Sequence, residues 1–262
     1  MIGKIALANM KYHKSKNILT GIAIFLTTLL LFVVPTVGYD MIIEEREGIK
    51  ELYPTWHALF RNIDEETVQK LSAHHSVECY GLRSDVGYMT DEDADIALIY
   101  MDEEGLELYQ MELVEGELPE TENEIVVSEG ILKELSQTGE VGDTITVPYQ
   151  VERNGGLDYT EEREFVISGF LADTDYSLEE KAFTAFVSED FLKNVVPEEQ
   201  IVYRFLFRVQ TEKFATTEEI EASIYQLASQ FDVPEQSMKI NGDSLWANYI
   251  DPAYVPGIIA IM

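Results

Sequence analysis

"VYRFLFRVQTEKFATTEEIEASIYQLASQFDVPEQSMKI", Val202 to Ile240, contains the unit from which the fold is read. Val202 to Gln210 alternates apolar and polar side chains, the period-two pattern of a strand with one buried face. Thr216 and Glu219 then stand in T-x-x-E spacing, a capping box that satisfies two orphan backbone donors at a helix start. Ile220, Ile224, Leu227 and Phe231 recur at helical spacing and predict one apolar stripe. Gln236 to Ile240, "QSMKI", closes the unit as a second strand.

The same order is found upstream. "TWHALFRN" (Thr55 to Asn62) is strand-like, and "DEETVQKLSAHH" follows as a helix with Asp64 as N-cap and Val68 and Leu71 on one face. "SVECYGLRSDVGYM" (Ser76 to Met89) returns to strand. Two βαβ-like parts, about 55–98 and 197–250, thus flank a piece of different texture, about 99–196. There the short β runs "NEIVVS", "DTITVPYQV", "REFVISGFLA" and "AFTAFVS" are broken by Gly, Pro and acidic turns, with Gly155-Gly156 a hairpin-turn candidate. Ser128 and Ser188 cap two short helices. The expected architecture is α+β, two βαβ-like units around a mostly-β insertion.

Ahead of this lies Ile18 to Tyr39, 22 residues without a charge. As a helix it spans about 33 Å, enough to cross the hydrocarbon of a bilayer. A secretory h-region is shorter, roughly 7–15 residues. Thr36 and Gly38 nevertheless leave a cleavage-like spacing, so a signal peptide stays open beside the anchor. Residues 1–17 carry Lys4, Lys11, Lys14 and Lys16 and no acid. Beyond Tyr39 the net charge is −35, the whole-chain −31 less the +4 of the head. Lysine-rich flanks stay in the cytoplasm, so the expected topology has 1–17 inside as a basic amphipathic head, transmembrane helix 1 over 18–39, and 40–253 outside. The final residues, 254–262, are expected to be the truncated start of transmembrane helix 2.

The outer portion is too hydrophobic for disorder, and Cys79, the one cysteine, excludes an intramolecular disulfide. From Ser84 to Leu132 there are 16 Asp and Glu and no Lys or Arg. That field repels nucleic acid and anionic lipid and attracts a cationic peptide or divalent ions, with an accessory extracytoplasmic protein as a further partner; whether the acidic segment Asp85–Glu129 binds anything is not legible. Asp91, Asp93 and Asp95 imitate a calcium loop, but Ile96 occupies its obligatory Gly and Asp102 its bidentate Glu, which argues against a metal. No Walker loop and no G-x-S-x-G occur, and His57, His74 and His75 lack ligand spacing. His74 and His75 suit a helix C-terminus. No catalytic, cofactor-binding or metal residue is therefore assigned.

"IALANMKYHKSKNILTGIAIFLTT" resembles the start of FtsX/MacB-type ABC transporter permeases. "VEGELPETENEIVVSEGILKEL…GEVGDTITV…FVISGFLADTD" resembles the MacB periplasmic core, through Gly116, Leu118, Pro119, Asn123, Glu124, Ile125, Val126, Ser128, Gly142, Asp143 and Gly169. The resemblance covers most of 1–255. It implies an N-terminal piece of a permease subunit working as a dimer in the cell membrane, with ATP hydrolysis on a separate cytoplasmic ABC ATPase. Motion would be relayed to the outer domain, for export of or defence against peptides or lipids. The residues alone leave two further readings open: a single-pass anchored binding or sensing module, and a secreted acidic binding protein.

Overall fold

The computed structural model describes residues 14–89, 94–153, 156–212 and 215–249. The head up to His13, Asp91 and Asp93 of the calcium-like pattern, Gly155, and the 254–262 tail lie outside the described residues. In chain order the elements are α1 (Lys14–Leu52), β1 (Ala58–Ile63), α2 (Glu65–Ser72), β2 (Val77–Met89), β3 (Asp95–Met101), α3 (Glu103–Tyr109), β4 (Leu113–Gly116), β5 (Glu124–Val127) and α4 (Glu129–Glu134). There follow β6 (Thr144–Arg153), β7 (Gly156–Leu171), α5 (Asp175–Glu180), β8 (Ala182–Val187), α6 (Glu189–Val195), β9 (Tyr203–Val209), α7 (Thr217–Gln230), β10 (Met238–Ile240) and α8 (Gly242–Asn248). The fold is α+β, a long apolar helix followed by a mixed-sheet domain.

Helix α1 is long and apolar enough to cross a membrane, and none of its apolar window is buried in the protein. The hydroxyls of Thr20, Thr27, Thr28 and Thr36 donate back to carbonyls four residues earlier, which satisfies them within the helix itself, as hydrocarbon demands. The expected boundary at Tyr39 is not a boundary of the helix. It runs on through Leu52 because 40–52 is rich in Glu, Ile, Lys and Arg, good or tolerable helix formers. Pro54 then biases Tyr53 away from helical geometry. The extra 13 residues extend the rod by about 20 Å.

The two βαβ units interlock. Strand β9 lies between β1 and β2, and β1 lies between β9 and β10, all antiparallel, giving the order β10-β1-β9-β2 of two split βαβ units. Helices α2 and α7 cover one face: Val68, Leu71, Ile220, Ile224 and Leu227 meet Phe60, Phe205 and Phe207. Each such aliphatic side chain contributes about 2 kcal/mol by leaving water. The Thr216–Glu219 capping box and the Asp64 cap form as expected. Phe231 ends the α7 stripe half-buried, its ring 5.7 Å from that of His74.

The insertion continues the same sheet and closes on itself. Hydrogen-bonded neighbours run β2–β3–β8–β5–β7–β6 and back to β2, a ring of six strands. Its inward residues include Val86, Ile96, Leu98, Val147, Tyr149 and Phe165, in one core with α2 and α7. The expected part boundary at 98/99 falls inside β3, and the second half of β2 belongs to the ring. Closure of the ring uses both β2 and β3. At the seam, a Cβ on Gly87 would stand 1.9 Å from the Gln150 carbonyl oxygen; only glycine lets β6 approach β2 there. The β6–β7 hairpin forms, with Arg153 opposite Gly156.

Candidate functional site: the joint between helix and domain

The chain enters the domain at Pro54–His57 and returns to the same place at Asn241–Tyr249. These two passages are sewn together. The Asn241 side-chain amide donates to the Pro54 carbonyl (2.8 Å), its backbone N–H donates to the His57 carbonyl (2.9 Å), and the Ser244 hydroxyl donates to the Thr55 carbonyl (3.4 Å). Thr55 N–H donates to Leu108 at the end of α3 (2.8 Å).

At the centre is His57, 1 % exposed. Val209 N–H donates to its Nδ1 (3.1 Å), and its Nε2 lies 2.9 Å from the Tyr249 hydroxyl. With Nδ1 accepting, a neutral ring carries its proton on Nε2 and donates it to Tyr249. Burial, helped by the nearby Arg208 charge, lowers the His57 pKa to about 3, so the ring is neutral at physiological pH. Tyr249 is also edge-on to the ring at 5.2 Å.

Helix α1 is fastened to this joint from outside. The Arg46 guanidinium lies 5.0 Å over the Trp246 ring of α8, and the Gln110 side chain donates to the Lys50 carbonyl (2.9 Å). Behind Gln110 stands α3, whose N-cap is Asp102. One Asp102 oxygen accepts from both Gly105 N–H and Leu82 N–H, each at 2.8 Å. Burial raises its pKa to about 6 in spite of these donors. Asp102, the twelfth position of the calcium-like pattern, is thus a helix cap, and Ile96 is a core residue. Among the described residues no group of three or more His, Cys, Asp or Glu could hold a metal.

His74 and His75 lie just past α2, and His74 Nδ1 accepts from Ser76 N–H. Cys79 is half-buried, and burial raises its thiol pKa. At the end of β3 remote from α3, a cavity of about 420 Å³ is lined by Tyr88, Asp95, Asp173, Tyr176 and Phe183. The Asp173 carboxylate there accepts from Gly130 N–H, supporting the start of α4. Sequence reasoning assigned no residue to the joint. The one available signal was His57 itself, a titratable ring set in the apolar strand "TWHALF".

No protein-family model matches the sequence, and no curated protein matches it. Solved structures that resemble it include the periplasmic region of MacB from Actinobacillus actinomycetemcomitans, at 13% identity and TM-score 0.49, covering 76% of this chain and 94% of that one. The extracellular domain of the noncanonic ABC-type transporter YknZ from Gram-positive bacteria matches at 13% identity and TM-score 0.44, covering 70% of this chain and 98% of that one.

Proposed function

We propose that this chain is the anchored part of an ABC-type permease subunit, in which α1 carries movement between the membrane and the outer domain. ATP hydrolysis belongs to a separate cytoplasmic subunit, and 1–17 faces that subunit. The observation that supports this is that one helix runs from Lys14 to Leu52, across Pro35, with its fastening at Arg46 and Lys50. A flexible tether would dissipate any tilt or rotation of the span. A helix clamped at the domain end transmits it along 36–52, which holds no proline; a proline kink in this helix would fall at Pro35, inside the span. The permease-like motifs in the head and at 114–175 point the same way. The secreted reading would require cutting after Gly38, in the middle of this helix.

The test uses the full chain reconstituted with a cytoplasmic ABC ATPase subunit that co-purifies with it. ATP should alter the protease susceptibility of the outer domain. Replacing Gly48-Ile49 with Gly-Pro should abolish that response while leaving the domain folded. A response that persists through the broken helix, or a chain whose mature form starts at Tyr39, overturns the proposal.

A further inference from the structure

The outward face of the ring is unevenly covered. Strands β3 and β8 run parallel with Ala97 beside Thr184, and Tyr88 of β2 stands opposite Ala97. Ile96, Leu98, Phe183 and Ala185 belong to the inner core, so by alternation Asp95, Ala97 and Thr184 point outward. Farther along that face Ile99 and Phe186 pack with Leu106 and Leu171 in a second apolar cluster. At Ala97 and Thr184 the side chains are small and that cover ends, with Met111 and Leu171 at its margin. The result is the cavity of about 420 Å³, to which the passage from β7 into α5 adds Asp173 and Tyr176.

Its charges are unmatched. Among the described residues no Lys, Arg or His lines the cavity, and no ion pair is found for Asp95 or Asp173. Lys181, the residue before β8, is held by Glu134 at 2.8 Å. One Asp173 oxygen accepts from Gly130 N–H; the other is shut off from water and has no donor. An acceptor buried without a partner is costly, and more so when charged. Tyr88 and Tyr176, 41% and 69% exposed, leave their rings open to a ligand.

We infer that this cavity binds an organic cation, a single ammonium group on an apolar stem. Asp95 and Asp173 offer it charge-assisted acceptors, and tyrosine ring faces attract a cation. Met111 and Leu171 give the stem an apolar wall. The volume lies within the roughly 300–1,000 Å³ of small-ligand sites. An anion is repelled by both carboxylates. A metal ion lacks ligands, since among the described residues no group of three or more His, Cys, Asp or Glu could hold one. A free amine and the lysine side chain of a peptide present the same chemistry. The site uses nothing of α1, so it stands or falls apart from the relay of motion.

The probes are n-butylamine and an end-blocked Ala-Lys-Ala peptide, titrated without ATP against the full chain in nanodiscs of zwitterionic lipid and followed by ligand-observed NMR. At least one should bind, and n-butanol, which lacks the charge, should not. Asp95→Asn with Asp173→Asn, which keeps an acceptor for Gly130 N–H, should weaken binding about tenfold. Glu65→Gln with Glu199→Gln, an equal change of net charge away from the cavity, should leave it unchanged. Tyr176→Ala, at an exposed position, should weaken binding about threefold and serves if the double Asp variant misfolds. Binding of butylamine alone assigns a free amine, and tighter binding of the peptide assigns a side chain; either supports the site. The proposal is overturned if neither amine binds, if butanol binds as well as butylamine, or if the two doubly substituted chains lose binding equally.

Discussion

The first half of β2 lies in an open four-stranded sheet and its second half in a closed ring. Around Cys79–Arg83 its neighbour is β9, and helices are needed to cover the sheet. Around Gly87–Met89 its neighbours are β3 and β6, and the strands cover one another. The open sheet takes a second, smaller core on its other face, where Trp56, Leu59, Leu108 and Leu206 pack together. The ring spends its inward side chains on core and leaves no free edge on β2. Yet both halves share one hydrophobic cluster, so they should not unfold separately.

The largest expected effects test that unity. Ile224→Asp puts an unpaired carboxylate under the open sheet, at a fully buried position, and should cost several kcal/mol. Gly87→Ala forces a methyl against the Gln150 carbonyl and should cost about 3 kcal/mol or more by prising β6 from the ring. Each should lower one single transition in denaturant unfolding followed by both Trp fluorescence and far-ultraviolet circular dichroism. Two separated transitions would mean that sheet and ring are independent units.

What the sequence made legible was local. Thr216, Glu219 and the Ile220–Leu227 stripe lie within a few residues of one another, and helix and cap follow from them directly. Ring closure was not legible, because it depends on Gly87 meeting Gln150 across the domain. Helix α3 was hidden for a different reason. Gly105 breaks its propensity, and Asp102 in an acid-rich run resembles a ligand as much as a cap. The joint was hidden most deeply: the His57–Tyr249 contact joins residues 192 apart.

The joint is the next place to probe, and acid is the means. His57 has a folded pKa of about 3 against an ordinary 6.5, so between those values the unfolded state binds the extra proton. Its stabilising contribution is complete above pH 6.5 and is lost as pH falls toward 3, at up to about 1.4 kcal/mol per pH unit. Urea unfolding at pH 7, 6 and 5 should show this decline. His57→Gln should be less stable at pH 7 but flatter with pH; an unchanged slope would place the acid sensitivity elsewhere.

Asp102 has the opposite sign and a smaller effect. Its folded pKa is raised to about 6, so the folded state holds a proton that the unfolded state has released. Its contribution weakens as pH rises from about 4 to 6 and stays low above that. Asp102→Asn removes the charge but retains an acceptor for Leu82 and Gly105 N–H, and should be neutral or stabilising at pH 7. Asp102→Ala orphans both donors and should cost about 2 kcal/mol. If Asn proves as damaging as Ala, the carboxylate charge is needed and the burial argument is wrong.

The smallest effect separates the rod from the domain it enters. Arg46 over Trp246 ties α1 to α8 and contributes little to the core, so Trp246→Leu should barely move the unfolding midpoint of the domain. Losing a cation–π contact of about 1 kcal/mol should instead loosen the docking of 40–52. One kcal/mol is about a fivefold change in an opening equilibrium. Amide hydrogen exchange of 40–52 should therefore quicken about fivefold, while exchange in β9 and the ring stays as it was. If exchange rises everywhere, Trp246 belongs to the core after all. If it rises nowhere, the helix is held by Gln110 and the chain itself, and Arg46 is not part of the fastening through which motion would pass.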